Sequence, residues 1–270
     1  MDRHIRDLFR QYSEDHPQGG YHRVIALHDA PDGDFEQISQ LLPAGCRGWL
    51  ELAQLPSADR IELVRDYWMG QFEQFPKLEA FLIDFFAKVE EIGIWVMQRR
   101  FDDPFCCQMV YTRQGGQSYF RGYPPATEEK QLSLQYYFSQ SVLPADYLAF
   151  LRIHDGFAKT TDSSGLLSSS QMIERYEQFQ SFLLSQEQLP EVEGKPIDPT
   201  GLIPFYESFG MPFYQCFWTA WHPEGEMGNV YYSGRDNTIT APQGLVNSPE
   251  EMAFATFADW LIFYLEAIGP

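Results

Sequence analysis

The chain reads as an α+β protein: a central, mostly antiparallel sheet flanked by helices, with a helix-rich N-terminal extension. Three observations predict this. Three helical stretches read between Phe35 and Ile92, short β-branched and aromatic runs cluster in the middle and again after residue 200, and helices return between and after them. With 44% hydrophobic and 16% aromatic residues among 270, the chain can fill a sizeable core, which excludes wholesale disorder. We divide it into a helix-rich region, 1–92, and an α+β domain, 93–270.

Phe35 to Leu42 reads as a helix stopped by Pro43, and Ser57 opens another that runs to about Phe72. After Pro76 the apolar residues Leu78, Phe81, Leu82, Phe85, Val89 and Ile92 share one helical face, with Gly93 as the stop. Ile94 to Gln98 and Cys106 to Thr112 read as strands. Gly115-Gly116 before Tyr119-Phe120 marks a hairpin, because primed turns need positive φ. Glu128 to about Ser141 reads as a helix. A short helix follows Pro144, with Tyr147, Phe150 and Leu151 on one face and Gly156 as its C-terminal glycine. Ser168 to Ser170 cap a helix running from Gln171 to about Leu184, and 187–200, with three prolines, reads as an exposed loop. Strands follow at Leu202-Ile203, Phe213 to Trp221, Asn229 to Tyr232 and Thr238 to Thr240. Ser248-Pro249-Glu250-Glu251 has the form of a capping box opening a last helix, with Phe254, Phe257, Leu261, Tyr264, Leu265 and Ile268 turned inward.

The net charge is −19, and its placement is uneven: residues 144–270 hold 17 acids and 5 bases, whereas 91–143 hold 5 of each. A field of this sign repels phosphate backbones and anionic membrane surfaces, so neither nucleic acid nor membrane is an expected partner; it also confers solubility. The charged first residues lead into no apolar run, and Phe254 to Ile268 is too short and too charged to span a bilayer, so a cytoplasmic location is expected. Cys106 and Cys107 point to opposite faces of a strand, and no Cys-x-x-Cys occurs, so reduced thiols and no metal are expected.

From Leu143 onward the chain resembles the SUKH superfamily, which includes a fungal cell-wall-synthesis regulator and bacterial immunity proteins. The likeness rests on Leu143-Pro144, Tyr147, Phe150-Leu151 and Asp155-Gly156-Phe157; on Gly201 to Phe205, Gly210 and Gly228 to Tyr232; and on Phe254 to Phe257 with Trp260-Leu261. It covers about 126–270, with Asp155 where the family usually has Asn. The resemblance implies a central antiparallel sheet and a protein-binding role without chemistry, and it carries no catalytic residues.

Isolated pairs look chemical but have plainer readings. His154-Asp155 fits a helix-ending turn better than a base and its orienting acid. His22, His28, Asp29, Asp32 and Asp34 lack the ligand spacing of a calcium loop. Glu224 and Glu226 beside His222 have the form of a carboxylate pair, but Pro223 and Gly225 make the stretch a loop. The aromatics of 213–221 read as core. The function expected is therefore binding and occlusion of another protein, a basic toxin or nuclease domain, with Asp162, Glu224, Glu226 and Asp236 as contacts, no cofactor and no catalysis. Two alternatives stand beside it: a regulatory scaffold docking through the N-terminal helices, and a hydrolase using Glu224 or Glu226.

Overall fold

The computed structural model describes residues 9–10, 19–30, 35–42, 44–113, 119–208, 210–242 and 252–266. The protein is α+β, with a mostly antiparallel arrangement of strands. Its chain forms two compact units, 1–71 with 79–125, and 72–78 with 126–270.

In the first unit, strand β1 (Arg23–Ala26) precedes helices α1 (Phe35–Leu41), α2 (Arg47–Gln54), α3 (Ser57–Gln71) and α4 (Pro76–Ala87, whose first residues belong to the second unit). Strands β2 (Val89–Gln98), β3 (Cys106–Arg113) and β4 (Tyr119–Gly122) follow, and β1 to β4 pair antiparallel in that order. One face of this sheet carries Trp95, Met97, Val110 and Tyr119 around Phe9. The other receives the helices: Trp68 donates to the Tyr111 hydroxyl at 3.1 Å, and Phe85 meets Phe120 at 5.6 Å. Buried Arg60 donates to the carbonyls of Ala53 and Leu55 at the end of α2 and to Ile92 on β2 at 2.8 Å, satisfying helix-end acceptors while pinning α3 to the sheet.

Helix α4 stops at Ala87, so Val89, Ile92 and Gly93 are strand residues and not the end of a helix. Their spacing continues the helical period by coincidence. Residues 92–97 of β2 are buried on both faces, and a strand of that kind shows no alternation to betray it. The boundary read at 92/93 falls inside β2. The hairpin joining β3 to β4 pairs as expected, though its Gly-Gly turn lies outside the described residues.

The second unit holds α5 (Glu128–Tyr137), α6 (Ala145–Leu151), β5 (Phe157–Lys159), β6 (Gly165–Leu166), α7 (Ser169–Ser185), β7 (Glu191–Val192), β8 (Lys195–Pro196), β9 (Leu202–Glu207), β10 (Phe213–Trp218), β11 (Asn229–Ser233), β12 (Thr238–Ile239), β13 (Ala253–Phe254) and α8 (Phe257–Glu266). The strand order is β5-β6-β9-β10-β11-β12-β7-β8, with β13 also on β11; among the described residues only β12 and β7 run parallel. Helix α7 covers one face, setting Phe179 and Leu183 against Leu202, Tyr214, Val230 and Tyr232. Helices α6 and α8 cover the other, where Tyr147 meets Phe217 and Phe257 at 5.2 Å each and Phe205 meets Trp260 at 4.9 Å.

Ser168 caps α7 with a full capping box through Gln171. The stretch 187–200 is not a plain loop: it carries the β7-β8 hairpin, turned through Glu193 and Gly194, both at positive φ. Pro196 is tolerated there because β8 is an edge strand. Phe254 lies in β13, so the last helix begins only at Phe257, with the Thr256 hydroxyl accepting from the Asp259 N–H at 3.0 Å. The Ser248 capping box and Ile268 lie outside the described residues.

Candidate functional site

The β10 register places the four expected contact residues at two opposite ends of the second unit's sheet. Phe213 pairs with Ser233, Tyr214 with Glu207, and Glu207 with Gly165, so Ser208 and the segments 160–164, 210–212 and 234–237 gather at one end. Asp162 and Asp236 belong there. Trp218 pairs with Leu202 and Phe217 with Asn229, which puts the 219–228 loop, with Glu224 and Glu226, at the other end. Six strand residues at about 3.3 Å each separate the two pairs by roughly 20 Å.

The first end contains a cavity of about 290 Å³. Its floor is aromatic: Trp260 and Tyr264, one helical turn apart on α8, stack at 4.9 Å, and Tyr206 meets them at 5.1 and 5.3 Å. A β-bulge puts Tyr206 there. Gln215 pairs with Tyr206 and Cys216 with Pro204, leaving Phe205 as the extra residue; Phe205 and Tyr206 both reach α8 rings, whereas an unbroken strand would send them to opposite faces. Asp162 fixes the arrangement. Its carboxylate accepts from the Tyr206 hydroxyl at 2.8 Å, from the Lys159 N–H at 2.9 Å and from the Tyr264 hydroxyl. Burial, with the Asp162 charge beside them, pushes both tyrosine pKa values up, so they remain protonated donors. The Lys159 ammonium lies 4.8 Å from the Tyr264 ring centre, and Ser208 and Tyr231 add a hydroxyl pair at 3.2 Å. Such a cavity suits one apolar or aromatic side chain with a polar edge. Asp162 serves it as a positioning residue. Exposed Asp236 lies in the β11-β12 turn.

The other end is acidic. Glu224 and Asp259 lie 3.5 and 3.6 Å from the Lys77 ammonium, whose pKa is raised by Asp259 first and Glu224 second. Both Lys77 and Glu224 are about half exposed, so their pair is worth less than about 1 kcal/mol. Glu226 accepts from the Ala145 N–H at the start of α6 at 3.1 Å. Beside it, buried Asp146 accepts from the N–H groups of Tyr147 (2.8 Å) and Ala258 (2.7 Å), tying the first turns of α6 and α8 together. Burial raises its pKa to about 6, and the neighbouring Glu226 adds to that.

His154 and Asp155 are a structural junction. His154 is buried, stacked 5.3 Å from Phe157, while Asp155 accepts from the Ser169 N–H (2.6 Å), its hydroxyl (3.1 Å) and the Lys130 ammonium (2.9 Å). His28 accepts from the Ile94 N–H at 3.1 Å, and burial lowers its pKa; Asp32 and Asp34 lie outside the described residues. Among the described residues no three His, Cys, Asp or Glu side chains are grouped to hold a metal ion. Among them, too, no helix is long and apolar enough to cross a membrane. Sequence reasoning missed the cavity. Tyr264 read only as core and Trp260 only as part of the family likeness, and a bulge has no short-range signature.

Residues 125–262 match the SMI1 / KNR4 family (SUKH-1). The match starts beside Ala126, where the longer segment of the second unit begins, and spans the sheet and both of its ends. No curated protein and no solved structure matches the chain at a significant level. The match extends over just more than half of the 270 residues, and the chain therefore belongs to the SMI1 / KNR4 family (SUKH-1).

Proposed function

We propose that the chain is a non-catalytic protein-binding module of immunity type, acting in the cytoplasm by occluding a basic toxin or nuclease domain. The observation that carries this reading is the acidic sheet end, where Glu224 and Asp259 flank Lys77 and Glu226 lies at the start of α6. A basic partner approaching that end meets uncompensated negative charge, which steers encounter. Glu224 and Glu226 are engaged with Lys77 and with the Ala145 N–H, contacts that suit docking better than an acid and base dividing a reaction.

The test uses the protein encoded beside this chain's gene. Its association rate is expected to fall about tenfold between 0.05 and 0.5 M salt. Glu224→Gln with Glu226→Gln is expected to slow association several-fold and leave dissociation nearly unchanged. Rates flat in salt and indifferent to both substitutions would remove the electrostatic mechanism.

A scaffold reading is favoured by one observation, the exposure of Leu63 (54%) and Tyr67 (45%) one turn apart on α3. Deleting the N-terminal 90 residues would not test it cleanly, because 72–78 belong to the second unit. Leu63→Lys is the better probe: the scaffold reading expects at least a tenfold loss of partner affinity, and the immunity reading expects none.

A further inference from the structure

The cavity beside Asp162 is larger than a folded interior leaves by accident, because close-packed cores hold few voids bigger than a water molecule. Its floor of Tyr206, Trp260 and Tyr264 is buried, Met252 and Phe263 beside them are half-buried, and Thr161 at the rim is exposed. The walls are held in place. The Met252 carbonyl accepts from the Tyr231 N–H at 3.0 Å and from the Gln215 amide at 3.1 Å, and the Phe263 ring lies 5.2 Å from that of Phe254. A guest therefore meets a preformed surface that needs little ordering on binding.

We propose that this cavity is a binding site for a free, neutral aromatic molecule of phenol or indole size. Charge decides the first property. The cation–π position on Tyr264 is taken by the Lys159 ammonium, 4.8 Å from the ring centre, so a second cation would meet like charge. An anion would meet the Asp162 carboxylate, and either ion would lose hydration on entering a mostly apolar space. Ring geometry decides the second. Tyr206 stands at 56° to Trp260 and 67° to Tyr264, which are themselves within 13° of parallel. In that corner a flat guest can stack on one plane while presenting its edge to the other. Size follows from volume: an apolar cavity of about 150 Å³ holds benzene, and drug-sized sites begin near about 300 Å³. The 290 Å³ here suits one ring or two fused rings. The Ser208 and Tyr231 hydroxyls, 3.2 Å apart, supply acceptors for one phenol O–H or indole N–H. The site lies roughly 20 Å along β10 from the acidic end where the protein contact is proposed, so its guest is a separate molecule and either site can fail without the other.

The test titrates indole into the isotope-labelled full chain and follows the side-chain N–H signals of its six tryptophans by NMR. The Trp260 signal should move saturably, with a Kd of about 0.1–1 mM, while those of Trp218 and Trp221, at the other end of the sheet, stay still. Tetramethylammonium and cyclohexanecarboxylate should bind at least tenfold more weakly than indole. Phe263→Ala, which removes a wall, should weaken indole about tenfold. Ser208→Ala, a smaller change, should weaken p-cresol about fivefold and leave toluene within about twofold, because only the cresol uses the hydroxyl edge. The proposal is overturned if indole shows no saturable binding up to about 5 mM, or if tetramethylammonium binds as well as indole. A blocked Gly-Trp-Gly peptide binding tenfold more tightly than indole would overturn it too, by assigning the cavity to a protein side chain.

Discussion

Replacing Asp155 with alanine is expected to lower the stability of the second unit by about 3 kcal/mol, measured by urea unfolding at pH 7. The carboxylate is 4% exposed and accepts three hydrogen bonds. Two come from Ser169, the first residue of α7, where the helix dipole favours negative charge. The third comes from Lys130 on α5, whose ammonium is half exposed and adds less. Truncation strands the Ser169 N–H and hydroxyl in a buried place and leaves α7 without its anchor to the α6 turn. Asp155→Asn separates the terms: its amide oxygen still accepts from the Ser169 N–H, and its NH₂ can donate to the hydroxyl. That variant should lose only the charge, about 1 kcal/mol. If alanine and asparagine cost the same, the charge to Lys130 dominates and the account of α7 anchoring fails.

Asp155 also shows what could be read in the chain. The turn Asp155-Gly156-Phe157 was legible, since Gly156 sits at φ +106°, a conformation that favours glycine. The two partners of Asp155 were not, because they lie 14 and 25 residues away. The same division holds elsewhere. Ser168 with Gln171 announces the start of α7 because a capping box is a four-residue device. The start of α8 was misread because Ser248 to Glu251 and Thr256 both offer capping chemistry, and only the pairing of Phe254 with Asn229 sets Phe254 in a strand. Asp162, Glu224, Glu226 and Asp236 all lie in connections between strands. Which end of the sheet each loop occupies depends on the antiparallel register of β9, β10 and β11, and no local spacing encodes that. The cavity is the least legible feature of all, for it needs a bulge at Phe205 and the turn of α8 that carries Trp260 and Tyr264, far along the chain.

The acidic end should also make stability depend on pH through Asp146. Its folded pKa is raised to about 6 from an ordinary 3.8. The folded state therefore holds more protons across that interval, and stability falls as pH rises through it. The contribution is fully present below about pH 4, is lost as pH passes about 6, and amounts to roughly 3 kcal/mol at 1.36 kcal/mol per pKa unit. Two N–H groups at helix starts favour the carboxylate, but burial and the nearby Glu226 charge outweigh them. Asp146→Asn turns one acceptor oxygen into a donor facing an N–H, a cost that does not vary with pH. The stability difference between wild type and this variant should accordingly shrink by roughly 3 kcal/mol from pH 4 to pH 7, measured by urea unfolding; a constant difference would refute the assignment. Glu226→Gln removes the neighbouring charge and should shift the midpoint of the change to lower pH. A basic partner seated on Glu226 would act in the same direction, so its binding should release a fraction of a proton near pH 6. Calorimetry in buffers of different ionisation enthalpy would detect that release, and its absence would mean that the partner does not touch this end of the sheet.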